Sequence, residues 1–146
     1  MKKKNVNIVL RSTSVIADSE PETMELITDG TLERLEDGDR SGWRVTYDDA
    51  ELTGLVNSST TVSCFGNDTA SMHRTGDLTQ ELVMENGQLR RCLYETEYGS
   101  MLFGVYTKSI ENTISDEGGE LKLSYSIESN GDLVADNRVE LSITGR

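Results

Sequence analysis

The sequence is poor in the residues on which most catalytic and metal-binding sites depend. Its 146 residues include one histidine, His73, and two cysteines. His73 has no partner residue at a diagnostic spacing, so the sequence shows no catalytic triad. It also lacks a Cys/His zinc cluster, a glycine loop that would cradle phosphate and a nucleophile elbow. These absences disfavour an enzyme, and no cofactor is expected.

Long apolar runs are also missing. No run approaches the ~20 residues that an apolar helix needs to cross a membrane. Behind three lysines at positions 2–4, the first apolar run covers only residues 6–10 and is interrupted by Asn7, whereas a secretory signal has about 7–15 apolar residues. We therefore expect a cytoplasmic protein without membrane association, in which Cys64 and Cys92 stay reduced.

Basic residues are scarce, with 14 Lys and Arg against 26 Asp and Glu, which gives a net charge of −12. Twelve of the acids lie between Asp18 and Glu51, where only three arginines accompany them. A surface this acidic repels the phosphates of nucleic acids and of anionic membranes. Nucleic acid is therefore disfavoured as a partner, whereas a basic protein would fit this surface.

The sequence does contain a clear two-residue alternation of apolar and polar side chains near its C-terminal end. The apolar members of this pattern are Leu121, Leu123, Tyr125, Ile127, Val139, Leu141 and Ile143. A period of two places one face of a β-strand in a core and the other face in water. The pattern recurs less regularly back to residue 6, and no window of a dozen residues shows a convincing helical period. The fold is therefore predicted to be all-β and antiparallel.

Turn-forming sequences rich in Gly, Asn and Asp divide the chain into strand-like runs. Asn86-Gly87 predicts a tight hairpin, because a type I′ turn needs positive φ at both central residues. The predicted strands lie near residues 6–17, 22–35, 43–48, 60–65, 69–74, 79–84, 88–95, 100–113, 119–129 and 135–144. Consecutive strands with short connections predict one domain over residues 1–146, a single up-and-down antiparallel β-barrel of about 8–10 strands, since closure removes exposed sheet edges.

Several spaced motifs give the chain a resemblance to a bacterial family. They are Leu93-Tyr94-Glu95-Thr96-Glu97-Tyr98-Gly99, Phe103-Gly104-Val105-Tyr106-Thr107, His73-Arg74-Thr75-Gly76, Gly118-Gly119-Glu120-Leu121 and Asn137. Over nearly the whole chain, the combination resembles the YwiB-like family of uncharacterised bacterial proteins. The resemblance implies a calycin-type, lipocalin-like barrel and implies no activity, because the family is carried as a domain of unknown function. The family often has proline at the position of Glu97, so the turn here is less rigid.

Half of the eight aromatic residues fall in one 13-residue window. They are Tyr94, Tyr98, Phe103 and Tyr106. This cluster suits a ligand-contacting hairpin at a barrel mouth, because tyrosine offers an apolar face and an orienting hydroxyl. The same residues would equally support a hairpin by packing across strands.

Arg74 lies in a predicted strand next to His73, and alternation places the two on opposite faces. An inward Arg74 would anchor a carboxylate, or it would pair with one of the many acidic neighbours. The candidate ligand-binding residues are therefore Tyr94, Tyr98, Tyr106 and Arg74.

Asp37, Asp39, Ser41 and Asp48 partly match the ligand spacing of a calcium loop. Such a loop ends in a bidentate Glu and is flanked by helices, whereas this segment ends in Asp and is flanked by predicted strands. An acidic hairpin is the favoured interpretation, and no metal is predicted.

Three functions remain open from the sequence. The favoured one is a non-catalytic module that binds a small, partly apolar or amphiphilic ligand, because a barrel of about eight strands is wide enough for one small ligand. The second is a protein-interaction module with a filled barrel, whose acidic region at 18–51 meets a basic partner. The third is an enzyme that uses tyrosine and carboxylate chemistry. The volume and lining of the barrel interior distinguish the first two.

Overall fold

Ten antiparallel strands make up the computed structural model, which describes residues 3–16, 20–48, 59–75, 80–96, 99–129 and 132–145. The strands are β1 (Lys4–Ile16), β2 (Glu22–Asp37), β3 (Arg40–Asp48), β4 (Ser59–Phe65), β5 (Thr69–Thr75), β6 (Gln80–Glu85), β7 (Leu89–Thr96), β8 (Gly99–Asn112), β9 (Gly118–Ser129) and β10 (Asp132–Gly145). Each strand pairs with the next along the chain, and β10 pairs with β1, so the sheet closes into a barrel. The predicted all-β, up-and-down architecture is confirmed.

The two-residue alternation marks the inward face of the barrel. Leu121, Leu123 and Leu141 are at most 1% exposed, while the polar residues between them face outward or are only partly covered. The most deeply buried apolar side chains around the barrel are Val6, Ile8, Leu32, Val45, Val62, Met84, Val105, Leu121, Leu123 and Leu141. Burial of these side chains is the main favourable contribution to folding.

One end of the barrel, here called the closed end, is filled by protein. Tight turns at 38–39 and 66–68 and the segment 113–117 lie at this end. The Asn112 side-chain amide donates to the Gly66 carbonyl (3.1 Å), and its backbone N–H donates to Asn67 Oδ1 (2.9 Å). These bonds fasten the end of β8 to the β4–β5 turn, and Ile114 joins the core there. The interior at the closed end is therefore packed.

Strands β6 and β7 are joined by less regular backbone pairing than the other neighbouring strands described. Among the described residues of these two strands, one Cα pair, Gln80 and Tyr94, is in register, whereas the β7–β8 ladder runs the full length of β7. The Val83 N–H donates to Cys92 Sγ (3.3 Å), and the Cys92 thiol donates to the Val83 carbonyl (3.9 Å). A thiol thus supplies bonds that a regular ladder would supply from the backbone.

Among the described residues, no helix has the length and apolarity needed to span a bilayer.

Both cysteines are free and buried. Burial raises the pKa of the Cys64 thiol to about 11, and the thiolate is the reactive form. We expect Ellman's reagent to react with native protein slowly at pH 8 and to detect two thiols per chain in denaturant. The measurement is a time course of absorbance on freshly purified protein. Detection of no thiol after denaturation would contradict the free-thiol state and the cytoplasmic expectation together.

Candidate functional site

A cavity of about 460 Å³ occupies the half of the barrel away from the closed end. We call the end of the barrel in this half the cavity end. The volume lies within the roughly 300–1,000 Å³ of small-molecule sites. Most of its wall is apolar and includes Leu10, Met72, Leu82, Val105, Ile127 and Val139. The lining residues of β3, β4 and β5 come from the strand ends that meet at the cavity end. The barrel is therefore packed on one side and hollow on the other.

Arg74 brings a positive charge to this apolar wall. The register places Tyr47, Thr60 and Arg74 side by side on β3, β4 and β5, and all three line the cavity. Arg74 Nε donates to Thr60 Oγ1 at 3.2 Å, and Thr60 is only 1% exposed. This hydrogen bond directs the guanidinium into the barrel interior.

Tyr125 contributes a hydroxyl from another part of the wall, on β9. Its side chain is 6% exposed, and burial raises the pKa of Tyr125 to about 12, although the positive charge of Arg74 acts in the opposite direction. The phenol is therefore neutral at physiological pH, and its hydroxyl keeps the proton that it can donate in a hydrogen bond. Arg74 and Tyr125 therefore place a cation and a neutral hydroxyl in the wall of the same, mostly apolar cavity.

The predicted ligand-binding residues separate in the structure. Arg74 lines the cavity as an inward residue, while His73 faces outward and its Nδ1 lies 3.1 Å from Glu81 Oε2. Tyr106 is 43% exposed on the outer face of β8 and does not line the cavity, because alternation along β8 turns it away from the interior. Tyr98 lies outside the described residues, as does the side chain of Tyr94.

Sequence reasoning missed part of the lining. Phe103 lines the cavity, although the proposed set of ligand-binding residues does not include it, whereas Tyr106 faces outward. The C-terminal alternation predicts that Tyr125 is buried, which the structure confirms, and the structure adds that Tyr125 borders the cavity. The available signal for this position was that Tyr125 belongs to the inward-facing set of β9. Tyr47 belongs to the inward-facing set of β3 in the same way.

The residues of the partial calcium motif lie far apart in the fold. Asp39 lies in the β2–β3 turn at the closed end, while Asp48 ends β3 at the cavity end. Asp48 is seven positions beyond Ser41 along the strand, about 23 Å at the usual rise. These positions cannot share one ion, and within the described ranges no three His, Cys, Asp or Glu side chains group to hold a metal.

Comparison with known proteins identifies the fold and the family. The crystal structure of the ywiB protein from Bacillus subtilis superimposes with a TM-score of 0.77, at 16% sequence identity, over 99% of this chain and 93% of that chain. At this identity the likeness shows a shared fold, and no curated protein matches the chain. The sequence matches the family described as "Domain of unknown function (DUF1934)" over residues 8–141. The resemblance to YwiB-like proteins is confirmed, and the chain belongs to the DUF1934 family.

Proposed function

We propose that this protein is a non-catalytic binding module that holds a small, partly apolar acid in the cavity of its barrel. The observation that carries the proposal is an apolar cavity of about 460 Å³ with Arg74 in its wall. A pocket lined by apolar side chains with a few convergent polar groups is the usual form of a small-molecule site. Arg74, Thr60 and Tyr125 are those polar groups.

The two parts of the wall select two parts of a ligand. Burial of an apolar body contributes roughly 25 cal/mol per Å² removed from water. A hydrogen bond to a charged group contributes about 1.5–3 kcal/mol, and the guanidinium fork matches the geometry of a carboxylate. An acid with an apolar body uses both contributions, whereas an alcohol of the same length uses mainly the first.

The alternative of a filled barrel receives less support. Among the described residues, the interior of the barrel is packed on the side of the closed end, where Ile114 and Met84 belong to the core, and it is hollow at the cavity end. The acidic surface at 18–51 remains suited to a basic protein, and such a partner would not need the cavity. A lipocalin-like role in ligand binding is therefore the better account of the interior.

The first test compares an acid with its neutral analogue. We expect Arg74→Met to weaken the binding of octanoate by about 10- to 100-fold, because a charge-assisted bond of about 1.5–3 kcal/mol is lost. The Kd of octanol should change less than about 3-fold. Isothermal titration calorimetry measures both, and thermal shift extends the screen to other straight-chain and isoprenoid acids.

Arg11→Met is the matched control, because it removes an arginine that is exposed on the outer face and paired with Glu25 at 2.9 Å. It should leave both affinities unchanged. A second pair tests the cavity itself: Val134→Trp fills it and should weaken acid and alcohol alike, whereas Leu133→Trp, on an exposed neighbour outside the lining, should not.

Melting temperatures of all four variants accompany the titrations. If Arg74→Met lowers the melting temperature without any preference between octanoate and octanol, Arg74 is a structural residue only. No binding of any acid or alcohol by the wild type at millimolar concentration would overturn the proposal and favour the interaction module.

A further inference from the structure

We propose that this protein forms a two-fold symmetric homodimer through the outer surface of the barrel around β8, here called the β8 face. The proposal concerns the outer surface, so it goes beyond the proposed function and does not depend on it. The β8 face consists of Leu89 and Arg91 on β7, Leu102, Gly104 and Tyr106 on β8, Glu128 on β9 and Leu133 on β10. Three features carry the proposal: exposed apolar side chains, two charges that complement a second copy, and a glycine at the centre.

The β8 face gathers exposed apolar side chains. Leu102 and Tyr106 lie on either side of Gly104 along β8, and Leu89 is the Cα partner of Tyr106. Eight large apolar side chains are exposed among the described residues, and half of them lie on this face, namely Leu89, Leu102, Tyr106 and Leu133, each between 43% and 57% exposed. Clustered apolar side chains on a surface mark protein–protein contacts, and tyrosine is enriched in interfaces.

One row of residues across the β8 face has opposite charges on the two sides of a glycine. Arg91 on β7 and Glu128 on β9 are both Cα partners of Gly104. The two charged residues are therefore each one strand spacing, about 4.8 Å, from the central strand. Neither Arg91 nor Glu128 takes part in a salt bridge with another of the described residues. Both charges are therefore available to a partner.

A second copy that is turned by 180° about an axis along β8 meets this row with the charges exchanged. Each Arg91 then lies opposite the second copy's Glu128, so that one contact contains two ion pairs, as in any isologous interface. Leu102 and Tyr106 each face their own counterparts. An axis across β8 would instead place Arg91 opposite Arg91 and Glu128 opposite Glu128. Because opposed like charges cost free energy, the charge pattern selects the axis along β8.

Gly104 lets the two copies come close at the axis. Glycine inside a strand often marks a place where another backbone approaches closely. The Glu128 side chain lies over this position, since a Cβ at Gly104 would come within 2.8 Å of Glu128 Cγ and 2.9 Å of its Oε1. The carboxylate thus leans from β9 toward the two-fold axis, where the second copy's Arg91 can reach it.

The distribution of charge permits this contact. A net charge of −12 opposes self-association in general. The acidic segment 18–51 contains β2 and β3, and β3 lies five strands from β8 in either direction around the barrel. The acidic strands are therefore on the side of the barrel opposite the β8 face, while the two charges in its central row cancel.

The first experiment reverses the charges and follows association of the full-length protein by sedimentation velocity from about 1 to 500 µM. The wild type should show a concentration-dependent dimer. Arg91→Glu and Glu128→Arg should each weaken dimerisation by about 10-fold or more, because each variant opposes like charges twice. An equimolar mixture of the two variants should dimerise within about 3-fold of the wild type, because one protomer then presents two carboxylates to two guanidinium groups of its partner.

Arg44→Glu is the matched control, because it makes the same charge change on β3 across the barrel, and it should dimerise like the wild type. Circular dichroism melts establish that all variants are folded. If the mixture of folded variants does not associate, the exchanged ion pairs are refuted. A wild type that stays monomeric at about 500 µM would overturn the dimer and leave the apolar face to a different protein.

The second experiment tests the axis by crosslinking. Leu102→Cys should give a disulfide-linked dimer on mild oxidation, because an axis along β8 makes this position face itself, while Cys64 and Cys92 are buried. Ile27→Cys is the control, because Ile27 is 73% exposed but lies on β2, away from the β8 face, and it should stay uncrosslinked. Equal crosslinking of both variants, or crosslinking of Leu102→Cys only in a mixture with Tyr106→Cys, would contradict the proposed axis.

Discussion

Leu123→Asp is expected to unfold the domain at room temperature, whereas Ser124→Asp should keep the melting temperature within a few degrees of wild type. Leu123 is 1% exposed in the barrel core. Burying an unpaired carboxylate there costs several kcal/mol, which is comparable to the whole stability of about 5–15 kcal/mol of a domain. Ser124 has the opposite parity on the same strand and is in register with Arg138, so a new carboxylate at this position faces water and a cation.

Circular dichroism melts of the two variants decide this prediction. The pair is matched, since the introduced side chain is the same and the positions are adjacent. Equal melting temperatures would contradict the face assignment of β9, and with it the assignment of Tyr125 to the cavity. A loss of folding in Ser124→Asp alone would have the same meaning.

Gly30→Val is expected to destabilise the protein by about 3 kcal/mol, near the upper end of the usual cost of overpacking. A Cβ at position 30 would overlap the Thr46 carbonyl oxygen and approach Ile8 Cδ1 to 2.9 Å. The obstructing oxygen belongs to the backbone of β3, so a side-chain rotation cannot relieve the overlap. Glycine here permits the close approach of β2 and β3.

Gly145→Ala is the control, because the nearest atoms to a Cβ there are 3.7 Å away, an ordinary contact distance. It should change the free energy of unfolding by less than about 0.5 kcal/mol. Urea denaturation at constant pH measures both variants. A Gly30→Val protein as stable as the wild type would contradict the close approach of β2 and β3.

The candidate site shows how far parity alone can lead. Alternation in the sequence correctly assigned Arg74 and His73 to opposite faces, and the structure places them so. Phe103 and Tyr106 are close in sequence, yet Phe103 lines the cavity and Tyr106 is exposed, because odd and even positions of this part of β8 face opposite ways. Closeness along a strand brings aromatic residues to one site only when their parity also agrees.

The sequence by itself determined the all-β class, the approximate bounds of ten strands and the buried face of β9 and β10, because these depend on local turn chemistry and on a period of two within each strand. It also indicated membership of the family that the comparison confirmed. Only the tertiary structure decided which inward residues fill the core and which line a cavity. Leu121 and Tyr125 have the same parity on one strand, yet one is packed near the closed end and the other borders the cavity. Their difference depends on which side chains the other strands bring to the same height in the barrel, and that follows from register and closure, which no single strand encodes.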